Sequence, residues 1–239
     1  MKAMILAAGL GTRLKPFTDK HPKALARVNG KTLLQRNIEY LVKYGVTDII
    51  VNVHHFADQI IDHLAANNNF NIPISISDET GEVLETGGGL KKAAWFFDDS
   101  KPFLLMNVDI LTHLNLKAMI DFHNNEKPIA TLAVSERSSS RCFLFNEREE
   151  LCGWKNKNTG EEKMSRVADQ LFEKSFSGIH IIDPRIFSMM HQEGKFSIVD
   201  TYIELAKTNI IKSFDHTGDL LMDVGKPESI VEAEKCFFD

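Results

Sequence analysis

Leu6-Ala7-Ala8-Gly9-Leu10-Gly11-Thr12-Arg13-Leu14 follows a short apolar run at the start of this 239-residue chain and has the residue types of a phosphate cradle. Small residues let a ligand approach the backbone closely. Successive loop N–H groups form an anion-binding nest. Arg13 adds planar donors that suit phosphate, Pro16 and Pro22 stiffen the loop, and Lys23 supplies a second cation. The pattern is not a P-loop, because GxxxxGK[ST] is absent. Nor is it a dinucleotide fingerprint: Leu14 occupies the third glycine position, and the next strand ends Asn52-Val53-His54-His55 with no acid for a ribose. A plain tight turn with surface cations would need only Gly9 and Gly11.

Two acids complement these cations. Asp109 follows the apolar run at 103–108, and ligands of open parallel sheets bind beyond the C-terminal ends of strands. A carboxylate there is placed to hold Mg²⁺ against a triphosphate. Asp223 lies in a second apolar run, Leu221-Met222-Asp223-Val224-Gly225, and only the fold can bring the two together. The plainer role for either is a helix cap or turn former. Leu84-Glu85-Thr86-Gly87-Gly88-Gly89 precedes a helix, whose N-terminus would favour anions or polar oxygens, or would serve as a hinge. His54 and His55 are adjacent, which is not metal-ligand spacing on a helix. Phe143, Phe145, Trp154 and Phe176 read as packing residues.

These groups require elements to carry them. Apolar runs at 2–8, 48–53, 72–77, 103–108 and 129–134 predict strands. Helical spacing predicts helices near 33–44, 56–64, 90–97 and 116–122. The alternation predicts a parallel sheet covered on both faces. Further strands are expected at 142–145, 151–154, 176–182 and 220–224, with a final helix at 227–236. No linker or repeat breaks the chain, so one domain over residues 1–239 is expected.

Composition sets the outer limits. Hydrophobic residues make up 43% and charged residues 26%, ordinary for a globular protein. This length buries a core without disulfides or structural metal. The net charge of −5 and the lack of a basic tract argue against a nucleic-acid partner, but one triphosphate needs only a local cluster. Three cysteines without CxxC spacing suggest a reduced cytoplasmic compartment. No apolar run approaches membrane-spanning length, and the N-terminal run is too short for a signal peptide.

The stretch LAAGLGTRLKPFT…PKAL resembles the signature of sugar-1-phosphate nucleotidyltransferases. The resemblance implies an α/β fold, Rossmann-like and GT-A-type, with a mixed, mostly parallel sheet. It implies a nucleoside triphosphate and a sugar-1-phosphate as partners, with no nucleic acid and no membrane. Nucleotide contacts are then expected at Leu6, Ala7, Ala8, Gly9, Gly11, Thr12, Arg13, Lys23 and Gly87, with Arg13 and Lys23 catalytic. Asp109 and Asp223 match the family's G-D and D-[IV]-G motifs, whose acids ligate Mg²⁺. The chain departs from the family at Ala24, where Pro is usual, and at Val108, where Gly is common, which bears on the contour of the sugar pocket. The LETGGG form at 84–89 resembles bacterial N-acetylmuramic acid 1-phosphate uridylyltransferases, as do Phe176-Ser177-Gly178-Ile179, Phe196-Ser197-Ile198 and the ending from Asp223 to Glu228. Glu85, Thr86, Asn107, Arg141 and Gly178 are the implied sugar contacts. The base reader is expected among Asp78, Glu79 and Thr80, with Glu79 foremost. Residues 151–162 match nothing in that subfamily. A guanylyltransferase for mannose- or heptose-1-phosphate, a glucose-1-phosphate enzyme and a non-catalytic nucleotide-sugar sensor remain as alternatives.

Overall fold

The computed structural model describes residues 1–238. The chain begins with β1 (Lys2–Leu6), the short strands β2 (Arg27–Val28) and β3 (Lys31–Thr32), α1 (Leu33–Lys43), β4 (Asp48–Val53), α2 (Ala57–Ala66) and β5 (Ile74–Asp78). It continues through α3 (Glu85–Lys92), β6 (Phe103–Asn107), β7 (Ile110–Thr112), α4 (Leu116–Glu126) and β8 (Ala130–Ser135). The second half holds β9 (Arg141–Phe145), β10 (Leu151–Asn156), β11 (Glu162–Met164) and the long β12 (Phe172–Ile182). Helices α5 (Ile186–Met189) and α6 (Ile198–Leu205), strands β13 (Ile211–Asp215) and β14 (Leu221–Asp223), and helix α7 (Pro227–Glu234) complete it.

Alternation along β1 shows how the layers arise. Ala3 and Ile5 pack on one face of the sheet with Leu34, Ile38 and Leu41 of α1, Ile60 of α2 and Met119 of α4. Met4, between them, joins Leu90 of α3, Ile186 of α5 and Tyr202 of α6 on the other face. A period of two in the strand thus meets a helical stripe on each side. Thr32 caps α1, its hydroxyl accepting from the Gln35 N–H at 3.0 Å.

The ten-stranded sheet runs β11-β10-β9-β12-β6-β1-β4-β5, with β8 paired to β12 and β13. The β6-β1-β4-β5 portion is parallel, as the alternating elements predict. Strand β12 enters antiparallel between β6 and β8, so the parallel series does not simply continue into the second half. Seven elements lie beyond the sequence expectation: the short strands β2, β3, β7 and β11, strand β13, and helices α5 and α6. The predicted helix at 90–97 starts earlier, at Glu85, and holds all three glycines inside it. Glycine inside a helix costs about 1 kcal/mol relative to alanine. Here a Cβ at Gly87 would strike the Phe196 ring, and one at Gly88 would strike the Gly194 carbonyl oxygen. The glycines let α3 lie directly on the 194–198 segment.

Buried histidines make this fold sensitive to acid. His180 is 2.7 Å from the Tyr202 hydroxyl through Nδ1, and His123 is 2.8 Å from Thr131 Oγ1. Burial pushes His180 down to about 3 and His123 down to about 4. Both are neutral in the folded protein above those values, while the unfolded chain takes up protons near pH 6.5. Their contribution is therefore complete above pH 6.5 and is lost as pH falls toward 4. Stability should drop by about 1.4 kcal/mol per pH unit for each such histidine across that window. His123→Gln should remove one share of the slope, read by urea unfolding at pH 6.5 and 5.0. An unchanged slope would refute the assignment.

Candidate active site

The glycine loop leaves β1 at Leu6 and is held from below by Asn52 on β4. The Asn52 Oδ1 accepts from the N–H groups of Ala7 at 2.6 Å and Ala8 at 3.3 Å. Its Nδ2 donates to Glu79 Oε1 at 2.8 Å. Gly11 has φ +62°, and a Cβ there would lie 2.9 Å from both Lys23 Cβ and Thr18 Cγ2. Only glycine allows the loop to fold over Lys23 in this way. Thr18 donates its hydroxyl to the Gly11 carbonyl at 3.0 Å, and Leu14 is fully buried as the anchor of the next turn.

Lys23 forms an ion pair with Asp109 Oδ2, and Arg13 Nη2 lies 3.6 Å from Asp223 Oδ2. The two acids are brought together by the small β7–β14 ladder, in which Asp223 pairs with Ile110, the residue after Asp109. The Val224 N–H donates to the Asp109 carbonyl at 2.8 Å. Gly225 leaves space for the Arg13 guanidinium, since a Cβ there would be 2.6 Å from Nη2 and 2.7 Å from Asp223 Oδ1. Asp223 Oδ1 is buried and has no hydrogen-bond partner. An orphaned carboxylate oxygen beside a second carboxylate suits a hard divalent cation that completes its shell with phosphate and water. Among the described residues no group of three or more His, Cys, Asp or Glu forms a metal cluster, so ligand oxygens would have to supply the remaining positions.

A cleft of about 380 Å³ opens at the C-terminal ends of β1, β4 and β6. Leu6, Ala8, Gly9, Lys23, Glu79, Glu85, Thr86, Asn107 and Asp109 line it, so nine sequence-expected residues share one cavity. Ala7, Gly11, Thr12 and Arg13 belong to the same loop without lining the cleft. The remaining expectations fall differently. Glu79 is buried, and its oxygens are engaged by Asn52 and, at 3.2 Å, by the Leu84 N–H. Its role in the fold is to tie the glycine loop to the 79–84 loop. The Gly87 N–H donates to the Phe196 carbonyl at 2.9 Å, so the start of α3 is no open anion site. Gly178, with φ +74°, lies behind Asn107. Arg141 stands exposed at the start of β9 and is not among the residues that line the cleft. Val108 is buried in the core with Ile110 and Leu114, and does not line the cleft.

Asn52 and Val83 line the cleft beyond the sequence expectation, whereas Ser197 lies in the Phe196-Ser197-Ile198 segment, and Gly225 in the D-[IV]-G motif, that the resemblance marks. Asn52 carries a readable signal, being the one amide inside the apolar strand Asp48–Val53. His54 Nδ1 donates to the Glu79 carbonyl at 2.6 Å. His55 packs against Phe56.

The model of the nucleotidyl transferase family matches residues 2–145. An N-acetylmuramate alpha-1-phosphate uridylyltransferase of Caulobacter vibrioides is 33% identical, over 97% of this chain and 95% of its own. A mannose-1-phosphate guanyltransferase of Aspergillus oryzae is 27% identical over 97% of this chain, which spans only 62% of that relative's length. The crystal structure of HddC from Yersinia pseudotuberculosis matches with a TM-score of 0.80 at 28% identity and covers 99% of both chains. Its complex with GMP-PN matches with a TM-score of 0.79. The family match contains the glycine loop, Lys23 and Asp109, and the bacterial relative extends it through Asp223: this chain belongs to the nucleotidyl transferase family and is an enzyme of the sugar-1-phosphate nucleotidyltransferase type.

Proposed function

We propose that the nucleotide donor is UTP and the acceptor N-acetylmuramic acid 1-phosphate. The observation that carries this reading is the 33% identity to the Caulobacter uridylyltransferase along nearly the full length of both chains. A guanine-specific reading has its own support in the complex of HddC with GMP-PN. A nucleoside triphosphate substrate and three free cysteines favour a cytoplasmic setting.

In this reaction a phosphate oxygen of the sugar-1-phosphate attacks the α-phosphorus in line. The bond from that phosphorus to the bridging oxygen breaks, and pyrophosphate leaves with the electron pair. The attacking oxygen is already anionic, so no general base is needed. Catalysis therefore rests on positioning and on charge stabilisation. Arg13 and Lys23 offer their donors to the phosphates, and Ala8 and Gly9 line the same cleft. Asn107 and Thr86 present polar groups to the sugar side. Asp109 and Asp223 would hold Mg²⁺, which when bound neutralises phosphate oxygens. Without ligands, the same two carboxylates are balanced by Lys23 and Arg13.

Pyrophosphate release should be measured with four nucleoside triphosphates crossed against N-acetylmuramic acid 1-phosphate, mannose-1-phosphate and glucose-1-phosphate. UTP with N-acetylmuramic acid 1-phosphate should give the highest kcat/KM. A higher value for GTP with mannose-1-phosphate would overturn the substrate assignment, and no release from any pair would overturn the activity. Arg13→Ala and Lys23→Ala should each lower kcat at least about 100-fold. Gly225→Ala should also lower kcat, because its methyl group displaces the Arg13 guanidinium from Asp223. Full activity in Gly225→Ala would show that the observed Arg13 position is not the working one.

A further inference from the structure

Behind the Asn107 side of the cleft lies a polar group that the reaction chemistry leaves unused. His216 follows β13 and is 5% exposed, and Ser177 on β12 is fully buried. His216 Nε2 is 2.7 Å from Ser177 Oγ, and its Nδ1 faces Asp219 Oδ2 at 3.9 Å. Nδ1 is buried without a hydrogen-bond partner. A neutral imidazole in this setting is best served with its proton on Nδ1, directed toward the carboxylate. Nε2 then accepts from the Ser177 hydroxyl. The trio has the composition of a hydrolytic triad, but the buried Ser177 gives no substrate access to its oxygen, which removes that reading.

Two connections give the group a role. Ser177 precedes Gly178, which sits at φ +74° where the pairing of β12 with β8 breaks register. A Cβ at Gly178 would lie 2.8 Å from Ile110 Cγ1 and 3.0 Å from Asn107 Nδ2. The backbone at 178 is thus the surface on which the Asn107 side chain rests. On the other side, the His216 carbonyl accepts from the Asp219 N–H at 3.0 Å and closes the turn that leads into β14 and Asp223. Leu220, the next residue, accepts at its carbonyl from the His113 N–H and the Thr112 hydroxyl, each at 2.9 Å.

We propose that His216 is a positioning residue for the sugar-1-phosphate. By holding Ser177 it fixes the backbone at Gly178, and with it the Asn107 side chain, while its own turn sets the start of the strand that carries Asp223. This rests on the nucleotidyl-transfer reading of the cleft, with Asn107 on the sugar side.

Ser177→Ala, His216→Phe and His216→Gln test it, the last because a Gln carbonyl can still accept from Ser177. The first readout needs no activity: the Asn107 side-chain amide and the Gly178 amide should shift in ¹⁵N–¹H spectra of Ser177→Ala and His216→Phe, and return in His216→Gln. The second is kinetic: KM for the sugar-1-phosphate should rise about five- to tenfold in the first two variants, with KM for the nucleoside triphosphate within about twofold. Lowered Tm with the Asn107 amide unmoved and both KM values unchanged would overturn the proposal. If His216→Phe fails to fold, Ser177→Ala decides by the same readouts. No turnover by the wild-type enzyme would remove the functional reading, and the role of His216 with it. Wild-type turnover with unaltered KM in the variants would remove the proposal alone.

Discussion

The Lys23–Asp109 ion pair is where the separate parts of this molecule become one site. Both side chains are largely buried, at 14% and 12% exposure. Charges withdrawn from water to that extent need close partners, and removing one leaves the other uncompensated. Meeting this need constrains everything nearby. Gly11 must adopt a left-handed conformation so that the loop clears Lys23. Strand β6 must end where Asp109 faces the loop, and β14 must lie along β7 to bring Asp223 beside it. The second pair, Arg13 with Asp223, is looser and more exposed, and it depends on the bare backbone at Gly225. Two anions and two cations in one corner give a site that is nearly balanced before a ligand arrives.

The sheet explains how such distant residues meet. Its parallel half delivers Leu6, Asn52 and Asn107 to one edge, the arrangement expected of open α/β sheets. Strand β12 then crosses antiparallel between β6 and β8, and its register break at 176–180 falls behind Asn107. The interruption of regular pairing thus lies directly behind the wall of the cleft. Bulges near active sites re-aim side chains in this manner.

The glycine loop, the first five long strands and the two acids that pair with Lys23 and Arg13 are legible in sequence because each has a local signature. Glycines mark the loop, apolar runs mark the strands, and an acid ends one apolar run at Asp109 and interrupts another at Asp223. What was not legible depends on partners far away in the chain. Strand β13 buries Ile211 and Ser213, leaves Lys212 and Phe214 half-buried in alternation and ends on exposed Asp215, a pattern too polar and short to separate from a loop. The start of α3 was misplaced because glycines normally open or break helices, whereas the reason for these three is the backbone at 194 and the ring of Phe196. Glu79 stands in sequence, with Asp78 and Thr80, as a candidate to read a base, and nothing local marks it as buried. Its burial follows from Asn52, which arrives from another strand. Only the assembled sheet shows that these two belong together.

The seating of α3 on the 194–198 segment reaches beyond this one enzyme. Phe196 accepts from Gly87 and Gly88 and donates back to Leu84, while Thr86 accepts from Ile198. Two stretches more than a hundred residues apart in sequence therefore fold as a single unit. A descendant that acquires a new ligand wall by exchanging residues 84–89 alone would bring a helix with no matching seat. Diversification of this wall must proceed by paired change, and grafts between relatives will keep their shape only when both stretches travel together.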